Sequence, residues 1–473
     1  MEGTKPTQGF KLNYKRTLII GFAFFGILLL WQVYDTWCPT FLTERFKEAF
    51  GTSDEMQVQY IVGIIMALDN LAALLVMPLF GRLSDRTHTR IGKRMPYILI
   101  GTAVCAIAFP FIPLFFHYHN LVGMIIMMAI ILLFAMMYRN PAVSLMPDMT
   151  PKPLRSKANG LINIMGYLGG AFATVVGMIF VLSHYLGKDY EGSQVGALWV
   201  VEMPFIVASV LMVISAVVLF IMVKENKIAD EMKDEMARGE LASESVDKVE
   251  DDKPLSKANK IMLWLILGAE FFWFMADNGV STFLNNYIIY NTPASTVSTA
   301  ILTIVGGVGS VIGFILGGII AGKIGRKWTL LSGLFLTLAC YAIWVILTFA
   351  VGLEGGFQLN NLPIWLYILW LLKGFGMSLV HVNSYPMVVE LCTGKKIGQF
   401  TGYYYASSMT AQTITPIAFG SLLLVPAFNW HVLPIYAGIC IAISCVIFFF
   451  VKNVTNTKTT FKKGLLESMD QDD

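Results

Sequence analysis

Charge is what this chain of 473 residues has least of. Asp, Glu, Lys and Arg make up 14% of it, against about 25% in soluble globular proteins. Hydrophobic residues make up 56% and the mean hydropathy is +0.65, so the chain cannot clothe a water-facing surface with polar groups. The net charge of +3 gives no basic field for nucleic acid. Cysteine is sparse and scattered: Cys38, Cys105, Cys340, Cys392, Cys440 and Cys445 sit mostly inside apolar runs, with no CxxC. That excludes a disulfide framework, a zinc site or a redox pair, and leaves these thiols as small apolar side chains. There is no HExxH, no P-loop and no Ser/His/Asp arrangement, so the pattern is not that of an enzyme, and no metal site or cofactor is expected.

Long apolar runs are what the chain does have. A membrane-spanning helix needs about 20 mainly apolar residues. Twelve runs qualify: 17–43, 57–80, 96–116, 121–148, 158–183, 197–223, 260–289, 297–322, 328–352, 363–389, 397–424 and 430–451. The first is too long for the core of a signal peptide, about 7–15 residues, and is expected to be a retained helix. Several exceed 25 residues, so tilt or kinks are expected. Pro78, Pro141, Pro386 and Pro416 lie in or near the ends of spans, where neighbouring helices can satisfy the freed carbonyls. The expected fold is an all-α membrane protein of twelve helices in two halves: 1–223, then a linker at 224–259, then 260–473. The linker is the only long polar stretch and mixes both signs (KENKIADEMKDEMARGE), which reads as a solvated segment with a helical first part.

Basic residues set the direction. With the N-terminus in the cytoplasm, 29 of the 34 Lys and Arg fall on the cytoplasmic side, three on the outer side (Arg45, Lys47, Lys188) and two inside spans (Arg139, Lys373). A bias of about ten to one is a strong positive-inside pattern and places both termini in the cytoplasm. The densest knot is GRLSDRTHTRIGKRMP, residues 81 to 96, and GGIIAGKIGRK at 317 to 327 echoes it after the second span of the other half. A looser echo links 139–170 with 383–412: Asn, Pro, an acid (Asp148 or Glu390), basic residues, then Gly. Matching loops in two six-span halves describe a duplicated transporter with an axis along the membrane normal.

The pattern Gly81-x-x-x-Asp85-Arg86 followed by Arg90-x-Gly92-Lys93-Arg94 resembles the loop signature of the major facilitator superfamily. The resemblance implies that Asp85 caps nearby helix ends and steadies the outward-facing state. Gly322 stands at the matching place in the second copy. Within the superfamily the chain resembles the glycoside–pentoside–hexuronide:cation symporters across nearly its whole length. The residues are Ser84-Asp85, Gly92-Lys93-Arg94-x-Pro96, Arg139-x-Pro141 through Pro147-Asp148, and Arg155-x-x-Ala158-Asn159-Gly160. It is closest in character to the proton-coupled sucrose and maltose carriers. The sodium-coupled members carry two acids in span two, where this chain has Ala73 and Met77, and an acid two residues before the span-four proline, where it has Arg139. A sodium site like theirs is therefore not expected, and the proton is the expected coupling ion.

A charge at bilayer depth costs at least about 2.5–3.5 kcal/mol and should face the bundle interior or water. Asp35, Asp69, Arg139, Glu270, Asp277 and Lys373 are such charges. Trp31 and Asp35, with Gln32 between them, share a face of span one, and an aromatic plate beside a carboxylate suits a sugar. Asp277 and Asn278 open the polar run DNGVSTFLNNY, and Glu270 lies two turns earlier on the same face. Asp277 is the expected protonation site. Asn383, Tyr404 and Gln412 complete the candidate cavity, and His381 is a weaker candidate nearby. Gly81, Asp85, Arg86, Arg90, Lys93 and Arg94 form the conformational loop. The expected function is proton-coupled symport of a disaccharide or small glycoside by a functional monomer in a bacterial inner membrane. The alternatives are another cargo, such as a lysolipid or an amphipathic drug, or a membrane sensor that does not transport.

Overall fold

The computed structural model describes residues 11–151, 154–188, 191–239, 257–353, 357–389, 391 and 397–452. Glu390, Lys395 and Lys396 of the looser echo, residues 240–256 of the linker and both chain ends lie outside these residues.

The described residues form twelve long helices. The first six are α1 (Tyr14–Phe50), α2 (Gln59–Arg86), α3 (Met95–Ala108), α4 (Leu121–Asp148), α5 (Arg155–Ile179) and α6 (Leu198–Met222). The second six are α7 (Lys257–Asn291), α8 (Thr296–Ile324), α9 (Arg326–Ala350), α10 (Ile364–Val389), α11 (Ile397–Leu422) and α12 (Val432–Phe449). A 3-10 turn, Glu55–Val58, leads into α2, and a short helix, Phe111–His117, extends α3. Eleven helices are long and apolar enough to cross a membrane. The exception is α11, whose 26 residues include Thr401, Tyr403, Tyr404, Ser407, Ser408, Thr410 and Gln412. Polar positions dilute its hydropathy without breaking the helix.

Local chemistry sets the ends. Asn13 begins α1 by accepting the Arg16 N–H at 3.0 Å, and Gly51, at φ 65°, closes it by donating to the carbonyls of Lys47 and Glu48. Such a left-handed closure is cheap only for glycine. Asn120 caps α4 through the Gly123 N–H at 2.8 Å and Ser295 caps α8 through the Val297 N–H at 3.2 Å. Between α9 and α10, Asn360 and Asn361 both take positive φ (50° and 60°) and turn a two-residue hairpin of β1 (Gln358–Leu359) and β2 (Leu362–Pro363), the conformation such tight hairpins require. α1 and α7, with 37 and 35 residues, are longer than a bilayer core of about 30 Å needs at 1.5 Å per residue.

Contacts divide the chain into two units: Met1–Ser53 with Leu71–Val249, and Asp54–Asn70 with Glu250–Asp473. The first unit is cored by Phe41, which stacks on Phe116 at 4.1 Å, and by Phe205, which packs on Phe41 and on Phe109 at 4.6 Å. The second is cored by Trp273, Phe283, Tyr287, Trp344, Phe419 and Phe448. The start of α2 is counted with the second unit because its backbone touches α11 directly. A Cβ on Gly63 would come within 2.0 Å of the Pro416 carbonyl, and one on Gly420 within 2.3 Å of the Gln59 carbonyl. Small residues permit this approach where both surroundings are apolar and packing drives association. Trp430 Nε1 donates to Glu55 at 3.2 Å and Asn286 to Gln59 at 3.3 Å in the same contact. Large apolar side chains such as Ile107, Ile179, Trp264 and Val446 are exposed, as a lipid-facing surface demands.

Candidate transport site

Within the first unit, Trp31 of α1 lies beneath a cation. The Arg139 guanidinium of α4 sits 5.9 Å from the Trp31 ring centroid, within cation–π range. The Trp31 ring is itself held edge-on by Tyr34 at 5.6 Å. Gln32 donates to Thr36 one turn further on at 3.3 Å, and Asp35 is exposed on the same helix. The next residue of α4, Asn140, donates to the Met77 carbonyl at 2.8 Å and fills the space beside Gly81, where a Cβ would meet it at 2.6 Å. This fixes α4, and with it Arg139, against α2.

Within the second unit, Lys373 of α10 donates to Asp277 of α7 at 2.6 Å. The ammonium also lies 5.9 Å from the Trp370 ring. His381, two turns along α10, packs on Phe274 at 5.4 Å and lies within electrostatic range of both Asp277 and Lys373. Asn278 Oδ1 is buried and has no partner among the described residues. Glu270 is fully buried, and neither carboxylate oxygen has a partner among the described residues. Tyr404 of α11 is bonded to Ser384 of α10 at 2.9 Å and is close enough to Glu270 to interact with it electrostatically. Asp69, also of this unit, accepts from Asn70 through its N–H at 2.5 Å and its amide at 2.7 Å.

Two expected site residues make a bond within their own helices. Asn383 donates to the Leu379 carbonyl at 2.8 Å and Gln412 to the Ser408 carbonyl at 3.2 Å, each one turn back on its own helix. Asp277, the expected protonation site, has Lys373 as a direct cationic partner. Glu270 has no hydrogen-bond partner on either carboxylate oxygen among the described residues.

The basic loop after α2 folds into an ion-paired knot of the first unit. Arg94, only 5% exposed, pairs with Asp85, donates through Nε to Asp148 at 2.9 Å and through Nη1 to Ser84 at 2.5 Å. Lys93 reaches the same Asp148 oxygen at 3.0 Å. The carboxylate that caps α3 is not Asp85. It is Glu225, which opens the short helix Glu225–Glu231 after α6 and accepts the N–H groups of Lys93, Arg94 and Met95 at 3.0–3.1 Å. An acid there gains from both the free donors and the helix dipole. At the start of α3 the cap is thus Glu225, while Asp85 pairs with Arg94. Gly92 is doubly required: its φ is 123°, and a Cβ would lie 2.0 Å from Glu225 Oε2. Asn226 adds bonds to the Thr89 and Arg90 carbonyls at 2.9 and 3.1 Å. Arg86 and Arg90 point outward and are exposed. Glu225 had one sequence signal, an acid just past the apolar run of α6 amid basic residues.

These features describe an all-helical membrane protein with charged and amide side chains held inside its spans. The Major Facilitator Superfamily description matches residues 18–353 and 342–468, and the chain belongs to that family. It has a transporter's fold. It is similar to the xylose transporter XylE from E. coli in its inward-open conformation (14% identity, TM-score 0.64, covering 94% of this chain and 97% of that one). It is also similar to the nucleoside transporter NupG (12%, 0.60, 91% and 99%) and to a peptide transporter POT (14%, 0.63, 92% and 93%). Among curated proteins none matches.

Proposed function

We propose that the protein is a secondary active transporter that carries a disaccharide or small glycoside together with a proton, by alternating access. The observation that carries this reading is the Asp277–Lys373 pair inside the spans, 2.6 Å apart beside Trp370. Opposite charges at bilayer depth are costly, and they mark polar-solute or ion pathways. A carboxylate, an ammonium and an indole together offer an acceptor and donors for hydroxyls and a flat apolar face for sugar C–H groups. Trp31 with Arg139 provides a second platform of the same kind. Neither Ala73 nor Met77 has a side-chain oxygen to offer a hard cation such as sodium, which favours the proton. In this reading the halves 1–223 and 260–473, joined by the linker 224–259, are the moving bodies, and the charge bias keeps both termini in the cytoplasm.

The test is a pH trace. Sucrose, maltose and other glycosides are added singly to weakly buffered cells expressing the protein, with and without sodium. Transient alkalinisation by one sugar without sodium is the expected result. Glycoside uptake indifferent to collapse of the proton gradient would end the coupling reading. Silence towards every sugar would end the sugar reading and move the search to amphipathic cargo.

A further inference from the structure

We propose that Glu270, and not the ion-paired Asp277, is the group that carries the coupling proton. The inference rests on the proton-coupled reading above and names its residue.

Glu270 lies at 0% exposure, and neither carboxylate oxygen has a hydrogen-bond partner among the described residues. Its surroundings are locked. Ser407 of α11 donates to the Leu267 carbonyl at 2.9 Å and Ser444 of α12 donates to the Ala269 carbonyl at 3.0 Å, so both neighbouring helices are pinned beside it. From α11 the titratable group in electrostatic range is Tyr404, with Tyr405 against it; from α10, Tyr385 packs on Tyr404 at 5.6 Å. His381 of α10 lies beside Phe274. Cys440, Cys445 and Tyr436 are the titratable groups of α12, and Lys323 is that of α8. Among the described residues no cation is paired with Glu270, whereas Lys373 is spent on Asp277. An ionised carboxylate here would be a buried charge with no partner among the described residues, a cost of several kcal/mol that the neutral acid avoids. The pair seven residues along α7 has no such need for a proton.

The step is a simple transfer. In the occluded state Glu270 is –COOH. When water reaches it, the O–H bond breaks, the proton passes to water as hydronium, and the electron pair stays on the carboxylate. Uptake of a proton on the other side reverses this. The Tyr404–Ser384 hydrogen bond stands between α11 and α10 at this point, so opening of that seam admits the water.

Purified protein is examined by infrared difference spectroscopy across a pH step, which requires no cargo. The carbonyl stretch of a buried carboxylic acid is expected in wild type and in Asp277→Asn, and is expected to vanish in Glu270→Gln. Gln copies the shape of the neutral acid, so the fold is retained, and a melting curve checks it. A band that survives Glu270→Gln, or that disappears in Asp277→Asn, overturns the assignment. In vesicles preloaded with sucrose or maltose, Glu270→Gln is expected to keep exchange and to lose uphill accumulation, about 50-fold at a potential of about 100 mV. If that variant still accumulates sugar as wild type does, the coupling role fails. If wild-type uptake ignores the proton gradient, the coupling reading fails with it, while the infrared result still reports whether the acid is protonated.

Discussion

The loop after α2 and its repeat after α8 begin from related sequences and are held by different means. In the first, acids from three helices converge on one buried arginine: Asp85 of α2 and Asp148 of α4 hold Arg94, and Glu225 after α6 takes the backbone N–H groups around it. In the second, Gly322 replaces the acid and is exposed. Gly325, at φ 85°, precedes α9 with no side-chain cap. Lys327 donates to the Phe449 carbonyl at the end of α12 at 3.0 Å, and lies 5.4 Å and 5.7 Å from the Trp328 and Phe449 rings. A carboxylate can accept several donors at once and brings the charge a helix start prefers. A lysine offered to a helix C-terminus makes one exposed bond of the opposite polarity. Related sequence has not kept the turn: residues 87–94 join α2 to α3, whereas Gly325 alone joins α8 to α9, and the electrostatic burden is divided unequally.

That contrast predicts graded effects. Arg94→Ala removes the buried side chain that ties Asp85, Asp148 and Ser84 together and leaves Asp148 to Lys93 alone; it is expected to cost about 3 kcal/mol, read as a large fall in the melting temperature of the purified protein. Gly92→Ala forces a side chain into positive φ and against Glu225. It is expected to cost about 1–3 kcal/mol, and a variant also carrying Glu225→Ala is expected to stay below wild-type stability, because the backbone strain remains and the cap of α3 is lost. Lys327→Ala removes one exposed bond and is expected to cost about 0.5 kcal/mol or less. If Lys327→Ala proves as damaging as Arg94→Ala, the two loops are equivalent after all and the comparison fails.

The site shows a similar division between what pattern reveals and what packing decides. The intramembrane charges were legible because a charge in an apolar run has few reasons to be there. Trp31 and Arg139 meet, and Asp277 and Lys373 meet, although neither pair is close in sequence. Asn383 and Gln412 each donate one bond to the carbonyl four residues back on their own helix, a contact that the pattern of polar residues does not reveal. Glu225 was hidden because a single acid at the end of a span resembles ordinary solvated charge, and only folding brings it beneath the first turn of α3.

Composition and run length by themselves determined that this chain is an all-helical membrane protein, since a segment of about 20 apolar residues has no other low-energy home. Order and motif spacing determined the family, and the sequence marked which charges deserved explanation. Tertiary structure alone decided which of those charges is neutralised. A carboxylate's state depends on the cations and donors within a few ångströms, and those arrive from helices about 100 residues away in the chain: Lys373 reaches Asp277, and no such partner reaches Glu270 among the described residues.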